Sequence, residues 1–133
     1  PRAPDVFRTT EWKPQTDLNI RSGHTAVEGE DDLHEVVLTI TVDAKEGDST
    51  LFLVEIQQAA MFQISGYSEE DFNEIVGSFC PNILFPYARE AIATTVQRGG
   101  FPEFVLQPIN FDALYMKSRE QIAQQAAGSS ESH

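Results

Sequence analysis

This sequence has little with which to carry out covalent chemistry. Its 133 residues include one cysteine, Cys80, and three histidines, His24, His34 and His133, spaced far apart. A single cysteine forms no internal disulfide, which fits a reducing compartment. One Cys with three scattered His also lacks the clustered ligands of a zinc site. Basic residues are scarce: nine Lys and Arg stand against 21 Asp and Glu, a formal net charge of -12. Nucleic-acid binding draws its affinity from Lys and Arg on phosphates, so the composition argues against it. An anionic lipid surface would be repelled too, while basic polypeptides would be attracted over roughly a Debye length. No apolar run reaches the length of a membrane span, and no signal-peptide pattern opens the chain. No glycine-rich phosphate loop follows a strand, because Gly99-Gly100 stands at the end of a helical pattern. The acidic run EGEDDLHE lacks the alternating oxygen ligands of a calcium loop and reads as a solvated, flexible loop. These features read as a cytoplasmic protein without direct membrane insertion. The chain begins with Pro-Arg rather than Met, which reads as an N-terminal segment removed or left out.

What is present suits one domain, expected over 1–127 with a flexible tail at 128–133. Hydrophobic residues make up 41% of the chain, enough for a core at this size without disulfides or metal. Residues 1–32 read as a long surface connection with a short extended piece over 16–21, yet they hold Phe7 and the lone tryptophan, Trp12. The stretch EVVLTITVDA places Val36, Leu38, Ile40 and Val42 on one face of a strand. KEGD supplies a turn, with Gly47 free to take positive φ. The return strand STLFLVEIQQ puts Phe52, Val54 and Ile56 on one face and Leu51, Leu53 and Glu55 on the other. The first face is continuously apolar and must be covered; the second is mixed and reads as wet.

Helical signals follow. In YSEEDF, Ser68 is a natural N-cap with Asp71 three residues on, and Gly77 ends or loosens the short helix. A longer helix is expected next, with Pro86 in its first turn and Gly99-Gly100 as its stop. Leu84, Ala88, Ile92 and Val96, joined by Tyr87 and Ala91, form its apolar stripe. After the apolar loop GGFPEFVLQP, the segment INFDALYMKSREQIAQQ reads as a last helix capped by Asn110.

Two features bear on function. A nucleophilic thiol needs a base and electropositive surroundings, whereas Cys80 has apolar neighbours and no nearby histidine. A buried, inert cysteine is the reading; a thiol enzyme using Cys80, or a small-ligand-binding protein, is the alternative. Phe7, Trp12, Phe101, Phe104, Val105 and Leu106 are apolar residues in segments that read as loops. They fold back over the core or line a groove for a partner, and the pattern alone does not divide the two.

The strings FCPNILFPYARE and RGGFPEFVLQPINFDALY resemble the SecB family of bacterial protein-export chaperones. The similarity runs from about residue 3 to 119 and includes PDVF, the Trp-Lys-Pro segment, EVVLTITV and LFLVEIQQ. The resemblance implies an α+β fold: an antiparallel, Greek-key-like β-sheet with a long interface helix and a C-terminal helix. It implies a homotetramer, a dimer of dimers, with the long helices buried between sheets. It further implies no catalysis, no cofactor and an ATP-independent holdase. Such a chaperone binds unfolded secretory precursor proteins and delivers them to SecA, the translocation ATPase, for post-translational export. Carried onto this chain, the client groove falls on Phe7, Trp12, Leu18, Ile20, Phe101, Phe104, Leu114 and Tyr115. The SecA contact falls on Leu53 and Glu55, and the oligomer interface on Val54, Ile56, Gln58, Tyr87 and Ala91. Some relatives guard a toxin–antitoxin pair, which makes a chaperone dedicated to one partner the alternative within the family. Family members carry a further strand before the PDVF match; its absence here implies an exposed sheet edge.

Overall fold

Three long strands make one antiparallel sheet. The computed structural model describes residues 14–131, with side chains through 124. Strand β1 spans Gln15–Ala26, β2 spans Leu33–Glu46 and β3 spans Ser49–Gln63, hydrogen-bonded in the order β1-β2-β3. The described strands therefore form a meander, without a Greek-key return among them. Gly47, at φ +60, opens the two-residue turn between Glu46 and Ser49, where a side chain would be strained. The turn after β1 is tight: Val27 N–H donates to the Leu33 carbonyl at 2.9 Å, and Gly29 sits at φ +83. The acidic run is thus partly a structured turn. A register shift at Ala44/Lys45 marks a bulge near the hairpin end.

The first strand corrects the reading of 1–32 as a connection with a six-residue extended piece. Twelve of those residues pair without interruption, from Gln15 opposite Lys45 to Ala26 opposite His34. Alternation fades after Ile20, and most of the strand's side chains stay exposed on both faces, β1 being at the end of the order among the described strands. The alternation read in the hairpin is what the structure has. Val36, Leu38, Ile40 and Val42 are all 0% exposed, and Phe52 and Val54 lie beside them in the core.

Helices cover that face. Helix α1 spans Glu69–Glu74, and its N-cap Ser68 accepts the Asp71 backbone N–H at 3.2 Å. Phe72 anchors this helix at the end of the sheet, its ring edge-on to His34 at 4.8 Å and to His24 at 5.4 Å. Gly77 does not end the helix. A π-turn over Ile75–Phe79 carries the chain straight into helix α2, Cys80–Arg98. Pro81 occupies the first turn of α2. Its ring crowds the carbonyl four residues back in an ordinary α-turn, and the wider turn before it makes room. Pro86, expected in the first turn, lies inside α2 on the exposed side, where the Asn82 carbonyl loses its intrahelical partner facing water. Cys80, Leu84, Phe85, Ala88, Ile92 and Val96 are buried against the sheet. Tyr87, placed in that stripe from the sequence, is instead 60% exposed on another face.

Gly100, at φ +92, closes α2. Its N–H reaches the Gln97 carbonyl and the Phe101 N–H reaches Val96, a Schellman ending. Phe101 and Phe104 then pack on Phe52 with ring centroids 5.2 and 5.7 Å apart, and Leu106 is 4% exposed. Phe111 meets Phe85 at 5.6 Å, so the intervening segment runs back toward the N-terminal half of α2. Helix α3, Phe111–Glu131, begins there, with the Asn110 side chain accepting the Ala113 N–H at 3.0 Å. It continues beyond the expected start of the tail at 128, through Gly128.

Candidate functional site: an apolar groove between the edge strand and the last helix

The groove follows from the way α2 covers the sheet. Its contacts fall on β2 and β3, which leaves the helix-side face of β1 partly open. Leu18 opposite Val42 and Ile20 opposite Ile40 share that face. Leu18 is 45% exposed and Ile20 is half-buried against the core. On the other side stands α3, and between them lies a cavity of 390 Å³ lined by Ile20, Leu38, Gly77, Phe111, Leu114 and Tyr115, among others.

Two contacts fix α3 as the far wall. Gly77 is the notch that receives Tyr115: a Cβ on residue 77 would lie 2.5 Å from Tyr115 Cδ1 and 2.7 Å from Cε1. Any larger residue would push the ring, and α3 with it, away. Next to the notch the buried Ser78 hydroxyl donates to the Asp112 carboxylate. Further along α3, Arg119 pairs with Glu70 at 3.5 Å and lies 5.8 Å from the Tyr115 ring centre. The exposed ion pair contributes about 0–1 kcal/mol, so Phe111, 4% exposed against Phe85, and the Tyr115 notch carry most of the docking.

The structure thus brings Ile20, Leu114 and Tyr115 into one cavity, with Leu18 on the same face of the same strand. Phe101 and Phe104 are not in it. They pack on Phe52 at the hairpin end of the sheet. Phe7 and Trp12 lie outside the described residues. Sequence reasoning missed Leu38, Gly77 and Phe111 as groove residues. Gly77 carried a signal, a glycine inside a helical pattern, read as ending or loosening the helix; the π-turn is that loosening, and the notch is what the reading lacked.

Among the described residues, no helix covers the sheet's other face. Leu53 is 66% exposed there, and Glu55 accepts a hydrogen bond from Thr41 Oγ1 at 3.3 Å and pairs with Arg21 at 3.8 Å. Val54, Ile56 and Gln58 point the opposite way, beneath the chain's own α2; Val54 is 8% exposed. A charge at Val54 therefore strikes the core of one chain before any contact between chains. The face of α2 turned away from the sheet bears Phe79, Ile83 and Tyr87, exposed by 59%, 41% and 60%; Ala91 is half-buried.

Cys80 is 0% exposed, and burial pushes its thiol up to about 11. At neutral pH it is a protonated core group, not a nucleophile. Among the described residues no group of three or more His, Cys, Asp or Glu is placed to hold a metal ion, and no helix is long and apolar enough to cross a membrane.

Comparison with known proteins agrees with this architecture. The model of the SecB family, described as preprotein translocase subunit SecB, matches residues 1–122. The chain is 47% identical over 132 residues to the protein-export protein SecB of Nitrosococcus oceani, covering 98% of this chain and 78% of that one. It is 44% identical over 133 residues to the SecB of Ectopseudomonas mendocina, covering 100% of this chain and 80% of that one. Among solved structures, it is similar in fold to a SecB-like chaperone of Mycobacterium tuberculosis in complex with a ChAD peptide from an antitoxin. That likeness has a TM-score of 0.61 and 18% identity and covers 73% of each chain. The chain belongs to the SecB family of protein-export chaperones, which is not an enzyme family.

Proposed function

We propose that this chain is an ATP-independent holdase that keeps secretory precursors unfolded in the cytoplasm and passes them to SecA. The observation that carries this reading is the half-open apolar groove where Ile20, Leu38, Leu114 and Tyr115 converge in a SecB-family chain. Each client side chain buried there contributes roughly 1.5–3 kcal/mol, less the cost of ordering a flexible chain. Arg21, Ser22 and Ser118 line the same cavity beside the apolar residues, and the apolar side chains set the selection for apolar content. The charge of -12 favours capture of basic, extended polypeptides. Phe7 and Trp12, with Phe101 and Phe104, belong to the proposed client surface on the resemblance alone.

SecA docks on the helix-free face of the sheet at Leu53 and Glu55. A homotetramer forms through the exposed ridge of α2, where Phe79, Ile83 and Tyr87 offer apolar area with Ala91 beside them. Val54, Ile56 and Gln58 act on that assembly from below, by supporting α2. A tetramer repeats the groove and adds avidity to shallow sites. The alternative of a chaperone dedicated to an antitoxin is not favoured, because relatives at 44–47% identity are export proteins and the antitoxin-bound neighbour is at 18%.

Calorimetric titration tests the reading. A reduced, permanently unfolded polypeptide should bind, and its native folded form should not. Binding of neither form, or equal binding of both, refutes the holdase.

A further inference from the structure

The three strands contain two cations, Arg21 and Lys45, and both stand on the helix-free face with Asp17, Glu35, Asp43 and Glu55. Each cation is paired. Lys45 lies 3.8 Å from Asp43 on its own strand, and Arg21 on β1 reaches across β2 to Glu55 on β3, Nη2 to Oε1 at 3.8 Å. The second Glu55 oxygen accepts the Thr41 hydroxyl at 3.3 Å. Register explains how Arg21 makes this reach. It stands opposite Thr39, Glu55 stands opposite Thr41, and these two short threonine side chains on the middle strand leave a path over the sheet. Thr39 is only 5% exposed although no helix among the described residues covers it, as expected if the Arg21 side chain passes over it.

From this we infer that Arg21 is a specificity-determining residue of the SecA-docking face: it is a built-in competitor for Glu55. The inference rests on the proposed docking of SecA at Leu53 and Glu55. A partner that seats an apolar pocket on Leu53 and a basic group on Glu55 finds that carboxylate already matched by Arg21. The guanidinium is 62% exposed and the pair is longer than a hydrogen bond, so Arg21 is displaced rather than locked. Displacement sets a threshold. A strongly basic, well-placed partner group replaces Arg21, whereas a weakly matched one does not, and the chain's acidic charge is kept from recruiting any cation at this position.

The test is a titration of purified SecA against the full chain, without client, at low and physiological salt. The variants are Arg21→Gln, Arg21→Lys, Glu55→Gln and the double Arg21→Gln/Glu55→Gln, with thermal melting of each as a fold control. Arg21→Gln should tighten binding roughly two- to fivefold, the range for an exposed ion pair, and more at low salt. Arg21→Lys, which keeps the charge, should move affinity less. Glu55→Gln should weaken binding, and in its background Arg21→Gln should have no further effect. If Glu55→Gln weakens binding while Arg21→Gln leaves it unchanged or weaker, the competitor role is overturned and the docking face stands. If Glu55→Gln changes nothing, the docking face itself is wrong and the inference falls with it.

Discussion

Helices α2 and α3 are close in length, 19 and 21 residues, but they are held in different ways. Helix α2 buries a column from Cys80 to Val96 against the sheet, whereas α3, among its described side chains, buries Phe111 and half-buries Tyr115. Leu114, Met116 and Ile122 on α3 stay 43%, 54% and 63% exposed. One helix is core and the other is a wall. If α3 walls the client groove proposed above, apolar contacts that welded it to the body would consume the surface clients need. Attachment at the first turns, through Phe111 on Phe85, the Tyr115 ring in its notch and the Ser78–Asp112 hydrogen bond, leaves the rest of α3 free.

The contrast can be broken most sharply in α2. Ile92→Ala or Leu84→Ala should lower unfolding free energy by ~2–5 kcal/mol in a denaturant titration, while Ile122→Ala on α3 should stay within about 0.5 kcal/mol. Equal losses at the two helices would end the distinction. Alkali probes the same core without mutation. Cys80 has its folded pKa raised from 9.0 to about 11. The unfolded thiol ionises first, so the protection is complete below pH 9 and is lost as pH rises from about 9 towards 11. The loss should be ~2–3 kcal/mol. Cys80→Ser should flatten that slope, and a wild-type curve that is already flat would place the thiol in solvent.

Gly77→Ala should cost ~1–3 kcal/mol in overpacking. It should also speed amide exchange along α3 more than along α2. Pairing it with Tyr115→Ala should recover much of the loss, because the ring that the new methyl strikes is gone; additive losses would mean that the notch is not where the two residues meet. Tyr115→Ala alone should cost less folding free energy than the α2 substitutions and more than Ile122→Ala. Its larger signature should be client affinity, weakened about tenfold for the loss of one aromatic contact. Unchanged capture would move the groove elsewhere.

How much of this was legible beforehand depended on whether one element alone determines the signal. The faces of β2 and β3 were readable because each strand is apolar on one side and mixed on the other, and Ser68 and Asn110 were readable because capping is local. Strand β1 was readable only over 16–21, where Leu18 and Ile20 alternate with Asp17, Asn19 and Arg21; beyond them Ser22, Gly23 and His24 leave no contrast to read. Gly77 was half-read: the loosened helix is there as the π-turn, but the packing reason for a glycine lies 38 residues away, in Tyr115. Leu18, Ile20, Leu114 and Tyr115 came from family resemblance; no periodicity in the sequence joins a strand near residue 20 to a helix near residue 115.

The π-turn over Ile75–Phe79 has one more consequence. Buried or half-buried positions recur every four residues from Phe72 through Val76, Cys80, Leu84, Ala88 and Ile92 to Val96. Four residues overshoot an α-helical turn by about 40°, so such a column winds steadily around its helix. One widened turn sets it back. The turn is therefore a phase setter: deleting a single residue within 75–79 would restore a regular helix and rotate α2 by about 100° relative to α1. Phe85 and Arg89 would then take the places of Leu84 and Ala88 against the sheet, while the present core stripe turned to where Ile83 and Tyr87 now stand exposed. Length in this segment is held as tightly as identity in the core.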